Sequence, residues 1–141
     1  MINLKRIDNM DILTNDVQRL VDFYHGLLEL PFFLPYVAEE EWAAIDTGNV
    51  TLYIFKTESA VLHEPRRAAV NLEDAPGMDS FAFEVDDLDE AHAHLDGNVD
   101  WAYHEIITWK HPNGTWYRYR PFFDPDGNML YVTEPHEAKA S

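Results

Sequence analysis

A chain of 141 residues is long enough for one domain with a substantial core and too short for two independent domains of ordinary size. Ten basic residues against twenty-six acidic ones give a formal charge of −16, which aids solubility, repels nucleic-acid phosphates and anionic lipid, and draws cationic or amine-bearing ligands. Cysteine is absent, which excludes disulfides and thiolate chemistry; no apolar run nears the roughly 18 residues of a membrane span, and no leader-like stretch follows Lys5 and Arg6, so the expected location is the cytoplasm.

Taken in chain order, Ile7 to Leu13 alternates, with Met10 and Ile12 on one side and Asn9 and Asp11 on the other, the period of a half-buried strand. Thr14-Asn15-Asp16 can cap a helix, and Val17, Leu20, Val21, Tyr24, Leu27 and Leu28 follow at helical spacing that stops before Pro31. Three β-rich runs come next, Phe32 to Ala38, Trp42 to Asp46 and Val50 to Lys56, the last two joined by the turn Thr47-Gly48-Asn49. The first half therefore reads βαβββ over about 5–56. The stretch 57–77, with two prolines and mixed charge, reads as a linker.

The same order recurs. Ser80 to Val85 alternates, Asp86-Asp87 opens a short helix through Leu95, and Gly97-Asn98 ends it. Runs at Val99 to Lys110, Thr115 to Phe123 and Asn128 to Thr133 complete a second βαβββ module over about 78–134. Asn15-Asp16-Val17 aligns with Asp86-Asp87-Leu88, and Asp46 to Tyr53 with Asp124 to Tyr131, so Leu52-Tyr53 falls on Leu130-Tyr131. The pattern predicts one α+β domain built by internal duplication.

Alternation also assigns faces. Leu52, Ile54, Leu130 and Val132 are aliphatic and should pack on the helices, which leaves Thr51, Tyr53, Phe55, Met129, Tyr131 and Thr133 on the other side. Phe81, Phe83 and Val85 go to the core, with Ser80, Ala82 and Glu84 facing away from it. Tyr117 and Tyr119 point one way and Trp116, Arg118 and Arg120 the other; Trp42, Trp101, Tyr103 and Trp109 lie on strands that border the open surface or an oligomer contact. Tyrosine and tryptophan are good strand formers and core fillers in any case. Flat faces and hydroxyl tips of this kind suit a planar or conjugated ligand.

The duplicated module, Asp16-Val17 leading into Phe23-Tyr24-His25-Gly26-Leu27-Leu28, and the turn Phe123-Asp124-Pro125-Asp126-Gly127-Asn128 together resemble the vicinal oxygen chelate superfamily. That superfamily includes glyoxalases, bleomycin-resistance proteins and extradiol dioxygenases. The resemblance implies two βαβββ modules that curl a mixed sheet into a cup around one cavity. It also implies metal-ligand positions on the first and fourth strand of each module, usually His or Glu, and these fall here on Asn9, Tyr53, Ser80 and Tyr131. Neutral amide, hydroxyl and phenol groups hold a hard divalent cation poorly, so neither a metal nor another cofactor is expected. The histidines do not replace the missing ligands. His92 and His94, two apart on a helix, read as solvated surface; His104 and His111 flank the sixth strand and could each reach the cavity mouth; His25, His63 and His136 read as polar surface on helix, linker and tail.

Two functions fit. The first is metal-independent binding and sequestration of an aromatic or cationic small molecule, a natural-product antibiotic in the manner of the bleomycin-resistance branch, for resistance or self-protection. Asn9, Asp11, Trp42, Tyr53, Phe55, Ser80, Trp109, Tyr117, Tyr119, Met129 and Tyr131 are its ligand-binding candidates. The second is a metal-free lyase, isomerase or cyclase in which Asp11 or Glu84 removes a proton and Tyr53, Tyr131 or Asn9 holds the developing oxyanion. The resemblance implies a homodimer; no nucleic acid or membrane partner is expected.

Overall fold

The alternating stretch near the start of the chain forms strand β1, Asn9–Thr14. It feeds an α-helix, α1, Val17–Val21, capped by Asp16, whose carboxylate accepts from the Arg19 N–H. The helix does not continue as α through Leu28. Over Asp22–Leu27 it widens to a π-helical turn in which the Leu28 N–H donates to Phe23 O at 2.9 Å, five residues back, with the adjacent rings of Phe23 and Tyr24 both buried. Strands β2, Trp42–Asp46, and β3, Thr51–Lys56, complete a three-stranded sheet of order β1-β3-β2, in which β1 runs parallel and β2 antiparallel to β3.

The run Phe32 to Ala38 is not a strand. Only Phe32 bridges to Ile45, and a 3-10 turn, Ala38–Glu40, precedes β2. Pro31 and Pro35 remove two ladder donors and restrict the residues before them. The segment is held by rings instead, His25 on Phe32 at 3.9 Å and Phe32 on Tyr36 at 5.4 Å, and by the Tyr36 hydroxyl donating to Gln18.

This is a computed structural model that describes residues 2–61, 69–70 and 72–138. The chain divides into two compact units, Met1–Leu62 and His63–Ser141, and the boundary falls in the stretch read as a linker. His63 lies outside the described residues.

The second unit repeats the plan. Strand β4, Phe81–Glu84, runs parallel to β8, Met129–His136, which pairs antiparallel with β7, Trp116–Phe123; β5, Asp100–Trp101, and β6, Ile107–Lys110, both pair with β7. Helix α2, Leu88–Leu95, follows β4. Its first free N–H groups are all satisfied: Leu88 donates to Glu134 on β8 at 2.8 Å, and Asp89 and Glu90 donate to the capping Asp87. The run Val99 to Lys110 is broken into β5 and β6 because the carbonyls of Tyr103 and His104 are taken by the Arg120 guanidinium, at 3.0 and 3.1 Å, rather than by a neighbouring strand.

The duplication read from sequence reappears as register. Met10, Asp11 and Ile12 lie opposite Leu52, Tyr53 and Ile54, while Phe81, Ala82 and Phe83 lie opposite Leu130, Tyr131 and Val132. Both units are thus α+β with a mixed sheet. Leu20, Tyr24, Ile45, Leu52 and Ile54 form the core of the first, and Leu88, Leu95, Phe122 and Leu130 that of the second. Phe81, Phe83 and Val85 are on the expected side but only half-buried, as is Met10. No helix among the described residues is long and apolar enough to cross a membrane.

Candidate functional site

In the first unit, pairing across β1, β3 and β2 sets Asp11 and Ala44 beside Tyr53, and Leu13 and Trp42 beside Phe55, all on the face opposite the buried Leu52 and Ile54. Tyr53 and Phe55 stack nearly parallel, with centroids 5.8 Å apart. Asn9 donates its amide N–H to Asp11 at 2.9 Å, and both are exposed. A depression of about 360 Å3 opens over Trp42, Tyr53 and Phe55, closed at its rim by Leu34, Glu40, Glu41 and Lys56. Glu40 accepts the Trp42 indole N–H at 3.1 Å, which orients the ring, and among the described residues no ion pair compensates the carboxylate charge. Glu41 accepts from Lys56 at 2.8 Å, and this bond raises the Lys56 pKa. Asn9 and Asp11 share the sheet face but do not line the depression.

In the second unit, Tyr131 lies between Ala82 and Pro121, Thr133 beside Tyr119, and Tyr117 beside Trp109. Tyr119 and Tyr131 sit 5.3 Å apart, and Trp109 and Tyr117 5.6 Å apart. Trp109 is exposed and the tyrosines half-buried. Burial, aided by Tyr119, pushes the Tyr131 phenol pKa up, and burial does the same at Tyr103. Glu84 is exposed on the same face.

Several candidates need correction. Met129 has the expected phase but is only 4 % exposed, next to the tight turn at Asp124, so it offers no ligand surface. Ser80 stands just before β4, where its hydroxyl donates to Asp79 at 2.8 Å. Trp101 belongs to the helix-facing side, edge-on to the buried Phe122 and beneath the Arg120 guanidinium. His92 is half-buried rather than fully solvated surface, and its Nε2 contacts the Arg120 guanidinium. His136 donates to Glu134 and stacks on Trp116 at 3.9 Å, and His25 contacts Leu30 O as well as Phe32. His25 is exposed, as read, while packing half-buries His92 and His136. The rim residues Glu40, Glu41 and Lys56 were missed as well; the acidic run Glu39-Glu40-Glu41 just before Trp42 was the available signal.

A metal does not fit the four implied positions. The Asn9 amide is engaged by Asp11, the Ser80 hydroxyl by Asp79, and the raised pKa of Tyr131 keeps it a neutral phenol. Among the described residues no three His, Asp or Glu side chains group as a metal site.

A family model described as the Glyoxalase/Bleomycin resistance protein/Dioxygenase superfamily matches residues 6–132. The chain belongs to this superfamily. Solved glyoxalase-superfamily structures share its fold. A glyoxalase/dioxygenase from Nostoc punctiforme superposes with a TM-score of 0.73 at 21% identity, covering 96% of this chain and 94% of that one. The fosfomycin resistance protein FosX from Mesorhizobium loti gives 0.62 at 16% identity, covering 94% and 93%. A lactoylglutathione lyase from Agrobacterium tumefaciens gives 0.59 at 21% identity, covering 94% and 95%. No curated protein matches it in sequence. At these identities the likeness establishes the superfamily fold and leaves the chemistry to the residues.

Proposed function

We propose that this superfamily member binds and sequesters a planar, cationic or amine-bearing small molecule, a natural-product antibiotic, without a metal. The observation that carries the reading is the first-unit depression: a stacked Tyr53–Phe55 floor, an oriented Trp42 wall, and a Glu40 carboxylate that no cation among the described residues neutralises. Aromatic walls gain by stacking on a planar ligand, and the rim carboxylate favours a positive charge beside it. The formal charge of −16 raises the local concentration of cations further. The tyrosine-rich face of the second unit is the companion binding surface in this reading, and the acting form is a cytoplasmic homodimer.

The test is titration of tryptophan fluorescence with a panel of planar antibiotics, amine-bearing and neutral, followed by mass analysis of the recovered ligand. Saturable quenching by an amine-bearing member and its recovery unchanged are the expected results. A flat response across the panel would remove the proposal. A transformed product whose formation stops in Asp11→Asn would replace sequestration by metal-free catalysis.

A further inference from the structure

The β6–β7 hairpin carries a second pocket, on the opposite sheet face from Tyr117 and Trp109. In this hairpin Thr108 and Lys110 alternate with Ile107 and Trp109, and Lys110 pairs with Trp116. A cavity of about 290 Å3 is lined by Thr108, Lys110, His111, Gly114, Thr115 and Trp116. That is near the lower end of small-ligand sites, enough for one ring and a short substituent.

The polar chemistry of this cavity is of one kind. Lys110 is exposed and, among the described residues, has no ion-pair partner, in contrast to Arg118 on the next pair of the same face, which is held by Glu134 and Asp89. The Asn113 N–H donates to His111 Nδ1 at 3.1 Å, so the neutral ring carries its proton on Nε2 and presents a donor there. Thr108 adds a hydroxyl. Among the described residues no carboxylate lines the cavity, although acidic residues outnumber basic ones more than twofold in the chain. The remaining wall is the Trp116 indole, set almost parallel to His136 at 3.9 Å, with an interplanar angle of 9°. His136 is itself fixed by Glu134 at 2.6 Å. The turn is rigid as well: His111 N–H donates to Thr115 O, Gly114 N–H to His111 O, and Gly114 has a φ of +96°, which disfavours any side chain there.

From this arrangement we propose that the β6–β7 hairpin binds a small planar monoanion, an aromatic carboxylate, through Lys110 and the His111 Nε2–H, with its ring against Trp116. Its charge preference is opposite to that of the aromatic depression of the first unit.

The full-length protein, labelled with 15N, is titrated with benzoate at about 0.15 M salt, where the Debye length is about 8 Å. Benzylamine and acetate serve as probes of the same ring without the anion and the same anion without the ring. Saturable shifts centred on the Thr108, Gly114 and Thr115 amides are expected with benzoate, far weaker ones with acetate, and none there with benzylamine. Lys110→Gln should weaken benzoate about fivefold, the size supported by an exposed ion pair worth about 1 kcal/mol; its own spectrum reports whether the hairpin is intact. Absence of saturation by benzoate, equal shifts with benzylamine, or undiminished benzoate binding by a folded Lys110→Gln variant would each overturn the proposal.

Discussion

Glu40 shows how one side chain can hold a wall and set a preference at once. Its carboxylate accepts the Trp42 indole N–H at 3.1 Å, which satisfies the donor without cancelling the charge. Glutamine at this position keeps an acceptor for the indole and removes the charge. Glu40→Gln should therefore weaken an amine-bearing planar ligand about threefold to fivefold, the scale of one exposed charge contact, and leave its neutral analogue unchanged. Isothermal titration of the matched pair of ligands separates the two cases, and an equal loss for both would show that Glu40 acts only through Trp42. Tyr53 contributes mainly area: Tyr53→Ala removes half of the stacked pair and should cost about tenfold for both ligands, whereas Tyr53→Phe should cost little unless the hydroxyl meets the ligand.

Two arginines on β7 decide how the elements of the second unit hold together. Arg118 grips Glu134 through Nε and Nη2 at 3.2 and 2.9 Å, and the same carboxylate receives the Leu88 N–H and His136, tying the start of α2 to β8. The Arg118 bonds, followed by the Leu88 N–H, hold the Glu134 pKa well below its ordinary 4.5, at about 2. A lowered folded-state pKa contributes stability that is present above the unfolded value and lost as pH falls from about 4.5 towards about 2. Glu134→Gln should cost on the order of 2 kcal/mol at pH 7, and the gap from the parent should shrink as pH falls through that window, as read by urea unfolding followed by circular dichroism. Parallel curves over the whole range would show that the charge plays no part.

Arg120 is the other anchor. It is buried beside Trp101 and supplies donors to Tyr103 O, His104 O and His92. Arg120→Lys cannot fork to two successive carbonyls, so it should behave nearly as badly as Arg120→Met, each costing about 2 kcal/mol. Hydrogen exchange across 102–106 should accelerate in both variants, and a lysine variant with parental protection would contradict the forked geometry.

At the scale of the whole molecule, a formal charge of −16 acts on ligands through rate. Association of a cationic ligand should slow as salt rises from about 0.01 to 0.15 M, because the Debye length shrinks from about 30 to 8 Å, while a neutral analogue keeps its rate. Stopped-flow fluorescence on both ligands measures this, and an identical salt dependence would refute steering.

Much of this protein was legible in its sequence because the physics is local. A β-rich run between turn residues set Trp42 to Asp46 as a strand to the residue, the Asp16 and Asp87 caps placed both helix starts, and the Leu52-Tyr53 and Leu130-Tyr131 correspondence returned as equal strand register. The same alternation put Tyr53, Phe55, Tyr117, Tyr119 and Tyr131 on the faces opposite the buried aliphatics. What only tertiary structure decided depends on partners distant in the chain. Pro31 and Pro35 turned a β-rich run into an irregular segment held by rings, Arg120 drew the carbonyls of Tyr103 and His104 out of a ladder, and Glu134 reached back 46 residues to cap Leu88. Met129 shows the limit most simply: a period of two states which side of a sheet a residue takes, but whether that side is open or covered depends on what packs against it.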